Sequence, residues 1–188
     1  MLDRPTGWSS GPLLALGHGA GGDVTAGDLV AVRDAVVSAG GAVARITQPY
    51  RVAGRRAPAP PTQLDPAWLA VLAALRRRYR YGSLVVGGRS SGARVACRTA
   101  VEAGAVGIVA LAFPLHPPGK PDKSRASELV TGVPTLVVNG DRDAFGVPTG
   151  GGGVEVVVLP GETHALSRNP SAVGAAVLSW LQAGGYLR

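Results

Sequence analysis

Apolar residues in this chain fall into short unbroken runs, with helix-period segments between them. Residues 12–16, 42–47, 84–87, 106–112, 134–138 and 154–159 are runs with few polar members. Runs of this length without strict alternation fit strands buried on both faces. Between them, Leu29, Val32, Val36 and Val37 recur at helical spacing, and Gly40 ends that segment. Trp68, Leu69, Leu72, Leu75 and Tyr79 mark a second helix, with Asp65 and Pro66 read as its N-cap and first position. Residues 91–102 form a third, ended by Gly104. Val173, Val177, Leu178 and Leu181 mark a last one, opened by Asn169 and Pro170. Thr25 followed three residues later by Asp28 reads as a capping box. Residues 48–62 carry four Pro and three Arg and read as an irregular loop. Residues 113–130 read as a second loop holding one helical turn.

Strands interleaved with helices predict an α/β fold. The expected architecture is a doubly wound, mostly parallel sheet of about six strands, with helices on both faces and no large cap. Residues 1–11 read as a flexible lead-in and 12–188 as a single domain. Parallel sheets carry their sites at the carboxyl ends of strands. The loops 17–22, 88–92, 139–143 and 160–164 all follow strands, so they are expected to gather on one edge.

Composition narrows the function classes. A chain of 188 residues with 46% hydrophobic content suits one core. No apolar run reaches membrane-spanning length and no targeting segment is read, so a cytoplasmic protein is expected. The single Cys97 excludes an internal disulfide and reads as a core thiol. The net charge of +7 and pI near 10.5 permit an anionic partner. Arg76, Arg77, Arg78 and Arg80 interleave with Tyr79 and Tyr81. They sit at a predicted helix end, where cations complement the dipole. A nucleic-acid partner is therefore not expected.

The chemistry centres on Gly88-Arg89-Ser90-Ser91-Gly92, between a predicted strand and a predicted helix. Gly-x-Ser-x-Gly at such a junction fits the sharp turn that presents a serine nucleophile. Chance alone gives roughly 0.25 such matches in a chain this rich in glycine. Gly7-Trp8-Ser9-Ser10-Gly11 also matches, but no strand precedes it. A serine hydroxyl needs a base, and the base needs a carboxylate to hold its tautomer. His164 follows the last strand and Asp143 the strand before it. The order Ser90, Asp143, His164 is that of an α/β-hydrolase. Asp141 competes with Asp143, though it can instead bond its own turn. The Ser91 N–H at the helix start and the Ala20 N–H in His18-Gly19-Ala20-Gly21-Gly22 are the candidate oxyanion donors. His18 and His116 are candidate substrate-lining residues, although His18 reads more readily as a brace for its loop and His116 as an exposed loop residue.

These pieces resemble the α/β-hydrolase superfamily, near its dienelactone-hydrolase-like branch. Most similar is the small hydrolase-like domain of testis-expressed and NSL-complex proteins and their bacterial relatives. The matching stretches are residues 18–22, 88–92, 113–120, 140–146 and His164. The resemblance implies Ser90 as nucleophile, Asp143 as acid and His164 as base, acting on a small ester-like substrate without metal or cofactor. It also implies that the usual N-terminal strand pair is missing. Ala93 stands where many relatives have glycine. The basic stretches Arg51, Arg55, Arg56 and Lys120, Lys123, Arg125 would suit an anionic acid group. Two other readings compete. One is a catalytically silent hydrolase-fold scaffold that binds a partner. The other is a dinucleotide-binding protein, since Gly17-x-Gly19-x-x-Gly22 matches that fingerprint, though no acidic residue ends the second strand. Oligomeric state is not readable.

Overall fold

A computed structural model describes residues 1–187. Seven strands form one sheet in the order β1-β3-β2-β4-β5-β6-β7. They are β1 (Leu2–Asp3), β2 (Leu13–Gly17), β3 (Ala42–Ile46), β4 (Leu84–Arg89), β5 (Gly107–Leu111), β6 (Thr135–Gly140) and β7 (Val154–Leu159). Strands β2 to β7 are parallel to their neighbours. β1 alone is antiparallel, with Leu2 opposite Ala44.

Side chains alternate across each central strand, yet both sets are buried. Leu13, Ala15, Leu84, Val86, Ile108, Ala110 and Val137 face one core. Leu14, Leu16, Val85, Val109, Leu111, Leu136 and Val138 face the other. This is why these runs read as continuous: neither face of the central strands meets water, whereas edge strand β7 is only partly buried. Helices α3 (Pro61–Arg78) and α4 (Ser91–Thr99) cover the first face through Leu64, Trp68, Leu72, Ala93 and Ala96. Helices α1 (Gly27–Ser38) and α5 (Pro170–Ala183) cover the second through Leu29, Val32, Val36, Val173 and Val177. No helix among the described residues is long and apolar enough to cross a membrane.

Several local expectations change. The sheet has seven strands rather than about six, because Leu2–Asp3 of the expected lead-in pairs at the edge. Thr25 and Asp28 form no capping box. Asp23 accepts from the Thr25 N–H and hydroxyl, the N-cap is Ala26, and it makes no side-chain bond. α3 starts at Pro61, so Pro66 lies inside it rather than at its start. The fixed φ of proline suits Pro61 at the first helical position equally well. Asp65 is thereby freed from capping and holds Arg98 of α4 through two bonds of 2.8 and 2.6 Å. The loop 48–62 contains a short helix, α2 (Pro49–Val52).

Candidate active site

The strand ends place Ser90, Asp143 and His164 together. Ser90 follows β4 with φ 52° and ψ −109°, a left-handed φ that a side chain rarely adopts. The turn is held by a bond from the Ser90 N–H to the Leu111 carbonyl at 2.9 Å. Its glycines are required by close packing. A Cβ on Gly88 would lie 2.8 Å from the Gly92 carbonyl carbon, and one on Gly92 would lie 2.9 Å from the His18 oxygen. The elbow is therefore pressed against the β2 loop with no room for side chains.

Ser90 Oγ lies 2.9 Å from His164 Nε2. His164 Nδ1 lies 2.9 and 3.0 Å from the two Asp143 oxygens. The Asp143 side chain is fully buried, whereas His164 keeps about a fifth of its surface in solvent, 21%. Asp143 is itself held. The Phe145 N–H donates to Oδ1 at 2.8 Å, and Asn139 Nδ2 donates to Oδ2 at 3.0 Å. Asn139 Oδ1 in turn accepts from the Phe113 N–H. Asp141 is used elsewhere: it accepts from the Gly161 N–H at 2.7 Å. The Phe145 ring stacks on the His164 ring at 4.1 Å between centroids. This packing restricts the imidazole on the side that Asp143 does not control.

The Ser91 N–H opens α4, where no helical carbonyl precedes it. The Gly17–Gly22 loop lies beside it, since a Cβ on Gly19 would come 3.4 Å from Ser90 Cβ. Neither the Ala20 nor the Ser91 N–H has a hydrogen-bond partner among the described residues. Tyr50 Oη donates to the Ala20 carbonyl at 3.1 Å and fixes that peptide.

His18 is not available to a substrate. It is fully buried, with Nδ1 2.8 Å from the Gly19 carbonyl and Nε2 accepting from the Gln48 N–H at 3.0 Å. It braces the loop. Burial pushes its pKa below the ordinary 6.5, with Arg51 adding to the effect against the Gly19 carbonyl and Asp23. The unfolded chain then binds this proton first as pH falls. Stability from His18 is complete above about 6.5 and is lost on acidification below it. Asp28 acts oppositely in a more acidic window, because burial raises its carboxyl above the ordinary 3.8 despite Arg89. The expected result is a fall in urea midpoint between pH 7.5 and 5.5 that shrinks in His18→Asn. Equal slopes in the two proteins would remove His18 from the balance.

His116 sits in the 113–130 insertion, with its N–H bonded to the Phe145 carbonyl and its ring against Gly146. It lines the Asp143–Gly146 turn. Cys97 is buried and its thiol is pushed up to about 12 by desolvation, so it is a core residue and no nucleophile. An apolar cavity of about 270 Å³ lies between α2, α3 and α4, walled by Ile46, Leu64, Trp68 and Val95 and reaching Gly17 and Gly92 beside the elbow. Ser90, Asp143 and His164 do not line it. Among the described residues no cluster of His, Cys, Asp or Glu is arranged to hold a metal.

Three contributors escaped sequence reasoning. Asn139 ends β6 and Phe145 lies on the loop after it, on either side of Asp143, but nothing in local composition says which neighbours touch Asp143. Arg89 is the third. Its Nε lies 3.0 Å from Asp28 Oδ2, and its Nη2 donates to the His164 carbonyl at 2.9 Å.

The fold is that of the α/β-hydrolases. The chain belongs to the alpha/beta hydrolase domain family, which matches residues 10–156. Among solved structures it is similar to Est1E from Butyrivibrio proteoclasticus, with 18% identity, TM-score 0.78, and coverage of 97% of this chain and 93% of that one. It is also similar to an alpha-beta serine hydrolase homologue from Coxiella burnetii (20%, TM-score 0.76, 96% and 90%). XC6422 from Xanthomonas campestris, described as an a/b serine hydrolase without lid, is similar at 20% identity (TM-score 0.75, 97% and 87%). No curated protein matches the chain. The structural likenesses speak for the fold.

Proposed function

We propose that this protein is a carboxylic-ester hydrolase that works through an acyl-enzyme. The observation that carries the reading is the unbroken chain of contacts from Ser90 Oγ through His164 to the buried Asp143, at 2.9 Å on each side of the imidazole. In the proposed reaction His164 Nε2 takes the Ser90 proton as Oγ attacks the ester carbonyl. Asp143 stabilises the imidazolium and keeps the remaining proton on Nδ1. The tetrahedral oxyanion is stabilised by the free Ala20 and Ser91 N–H groups. His164 then returns the proton to the leaving alkoxide, and the alcohol departs. Water, deprotonated by the same imidazole, attacks the acyl-Ser90 carbonyl; as the tetrahedral intermediate collapses, His164 returns that proton to the departing Ser90 Oγ and the acid is released. No step calls for a metal or cofactor. A small ester fits an edge without a large cap. Est1E has been seen with ferulic acid bound, so a feruloyl ester belongs in the first substrate panel.

The test is labelling with a fluorophosphonate, which reacts with activated serines. The expected adduct sits on the tryptic peptide 90–94, with turnover of 4-nitrophenyl acetate, butyrate or a feruloyl ester. A folded protein that takes no label and cleaves no ester would overturn the reading in favour of a silent scaffold.

A further inference from the structure

Resting on the hydrolase reading above, we propose that Arg89 is a positioning residue. It holds the His164 loop against the Ser90 elbow, with Asp28 as its buried counter-charge.

Arg89 is the last residue of β4 and directly precedes the strained Ser90. Its side chain leaves the elbow and meets three other parts of the fold. Nη2 donates to the His164 main-chain carbonyl at 2.9 Å, so it grips the backbone of the base rather than its ring. Nε lies 3.0 Å from Asp28 Oδ2 in the first turn of α1, an ion pair not aligned as a hydrogen bond. Nη1 rests against the loop that carries Ala20, because a Cβ on Gly19 would come within 3.0 Å of it. One planar group thus touches the oxyanion loop side, the helix behind it and the base loop. The nucleophile's own strand carries it.

The cost of this arrangement argues that it does more than hold the fold together. The Asp28 side chain is 1% exposed and the Arg89 side chain 16%. Replacing such a buried pair with apolar residues of similar volume is often neutral or stabilising. An apolar contact would close this gap between α1 and β4 as well. It could not donate to the His164 carbonyl. Lysine could keep the charge, but it has no planar fork to reach Asp28 and His164 together.

The experiment uses the full-length protein and an ester whose turnover disappears in Ser90→Ala. Arg89→Met is expected to lower kcat by about 10- to 100-fold, because a base displaced by about 1 Å costs roughly 10²-fold. KM should change by less than about threefold. Arg89→Lys should fall between Arg89→Met and wild type. Adding Asp28→Asn to Arg89→Met should lose little more, since the pair acts as a unit. Melting curves of each variant show whether it is folded. If Arg89→Met does not fold, Arg89→Lys and Asp28→Asn carry the same kcat test. A kcat within threefold of wild type in these variants, or a loss that merely tracks the unfolded fraction, would overturn the proposal alone. Absence of any Ser90-dependent turnover in wild type would overturn the hydrolase reading, and this proposal with it.

Discussion

Ser90→Ala is expected to remove fluorophosphonate labelling and to lower kcat by about 10⁴- to 10⁶-fold, the range seen when a triad nucleophile is deleted. Residual rate over water would come from the Ala20 and Ser91 donors, which the substitution leaves intact. The fold should survive, because Ser90 Oγ bonds only to His164. The substitution also separates chemistry from strain. At φ 52° a residue with a Cβ sits in a region that costs about 1–3 kcal/mol. Alanine keeps that cost, and glycine does not. Glycine gives back about 0.5–1 kcal/mol through its unfolded-state freedom. Ser90→Gly should therefore melt at or above the temperature of wild type, while Ser90→Ala melts close to it, and both should be inactive. This ordering would show stability held below its optimum at the residue that reacts. Labelling that persisted in Ser90→Ala would assign the activated serine elsewhere, with Ser91 the nearest alternative.

How far the chain could be read from its pattern depends on the range of the interaction. Strands β2 to β6 were readable because burial on both faces leaves continuous apolar runs, and the partly buried edge strand β7 by its run of valines. Their carboxyl ends then followed from topology, and so did the gathering of residues 17–22, 88–92, 139–143 and 160–164. β1 was not readable, since two residues carry no period and its partner Ala44 is 42 positions from Leu2. The start of α3 was misread because both Pro61 and Pro66 fit a first helical position, and only the packing of Leu64 on the core favours the earlier one. Asp28 is the instructive case. Locally it completes Thr25-x-x-Asp28, a capping pattern. In the fold it pairs with Arg89 at the end of β4, with β3, α2 and α3 between them in the chain. Asp143 and Asp141 could be ranked but not separated by spacing. The Gly161 N–H that occupies Asp141 comes from the next loop. Phe145 and Arg89 carry no local signal at all, because their partner is His164, far along the chain.

Asp143→Asn is the second large effect, and its cause lies in the donors around the acid. Both carboxylate oxygens already face an N–H besides the imidazole. Oδ1 faces the Phe145 N–H at 2.8 Å and Oδ2 faces Asn139 Nδ2 at 3.0 Å. An asparagine must point its NH₂ at one of these donors. Asn139 cannot turn to accommodate it, because its Oδ1 accepts from the Phe113 N–H at 2.9 Å and its Nδ2 also donates to the Gly146 carbonyl. One buried donor is left unpaired, at a cost of about 1–3 kcal/mol. The catalytic effect is larger. Against an amide donor, His164 Nδ1 must accept, which moves the ring proton to Nε2. The imidazole then offers Ser90 a donor where the reaction needs a base. The expected result is a fall in kcat of about 10⁴-fold, with a lower urea midpoint. Asp141→Asn keeps an oxygen for the Gly161 N–H and should stay within threefold of wild type in kcat. If Asp143→Asn retained activity within tenfold of wild type while Asp141→Asn lost it, the acid would be Asp141. The distances of 2.9 and 3.0 Å at His164 Nδ1 would then describe a resting arrangement that the reaction abandons.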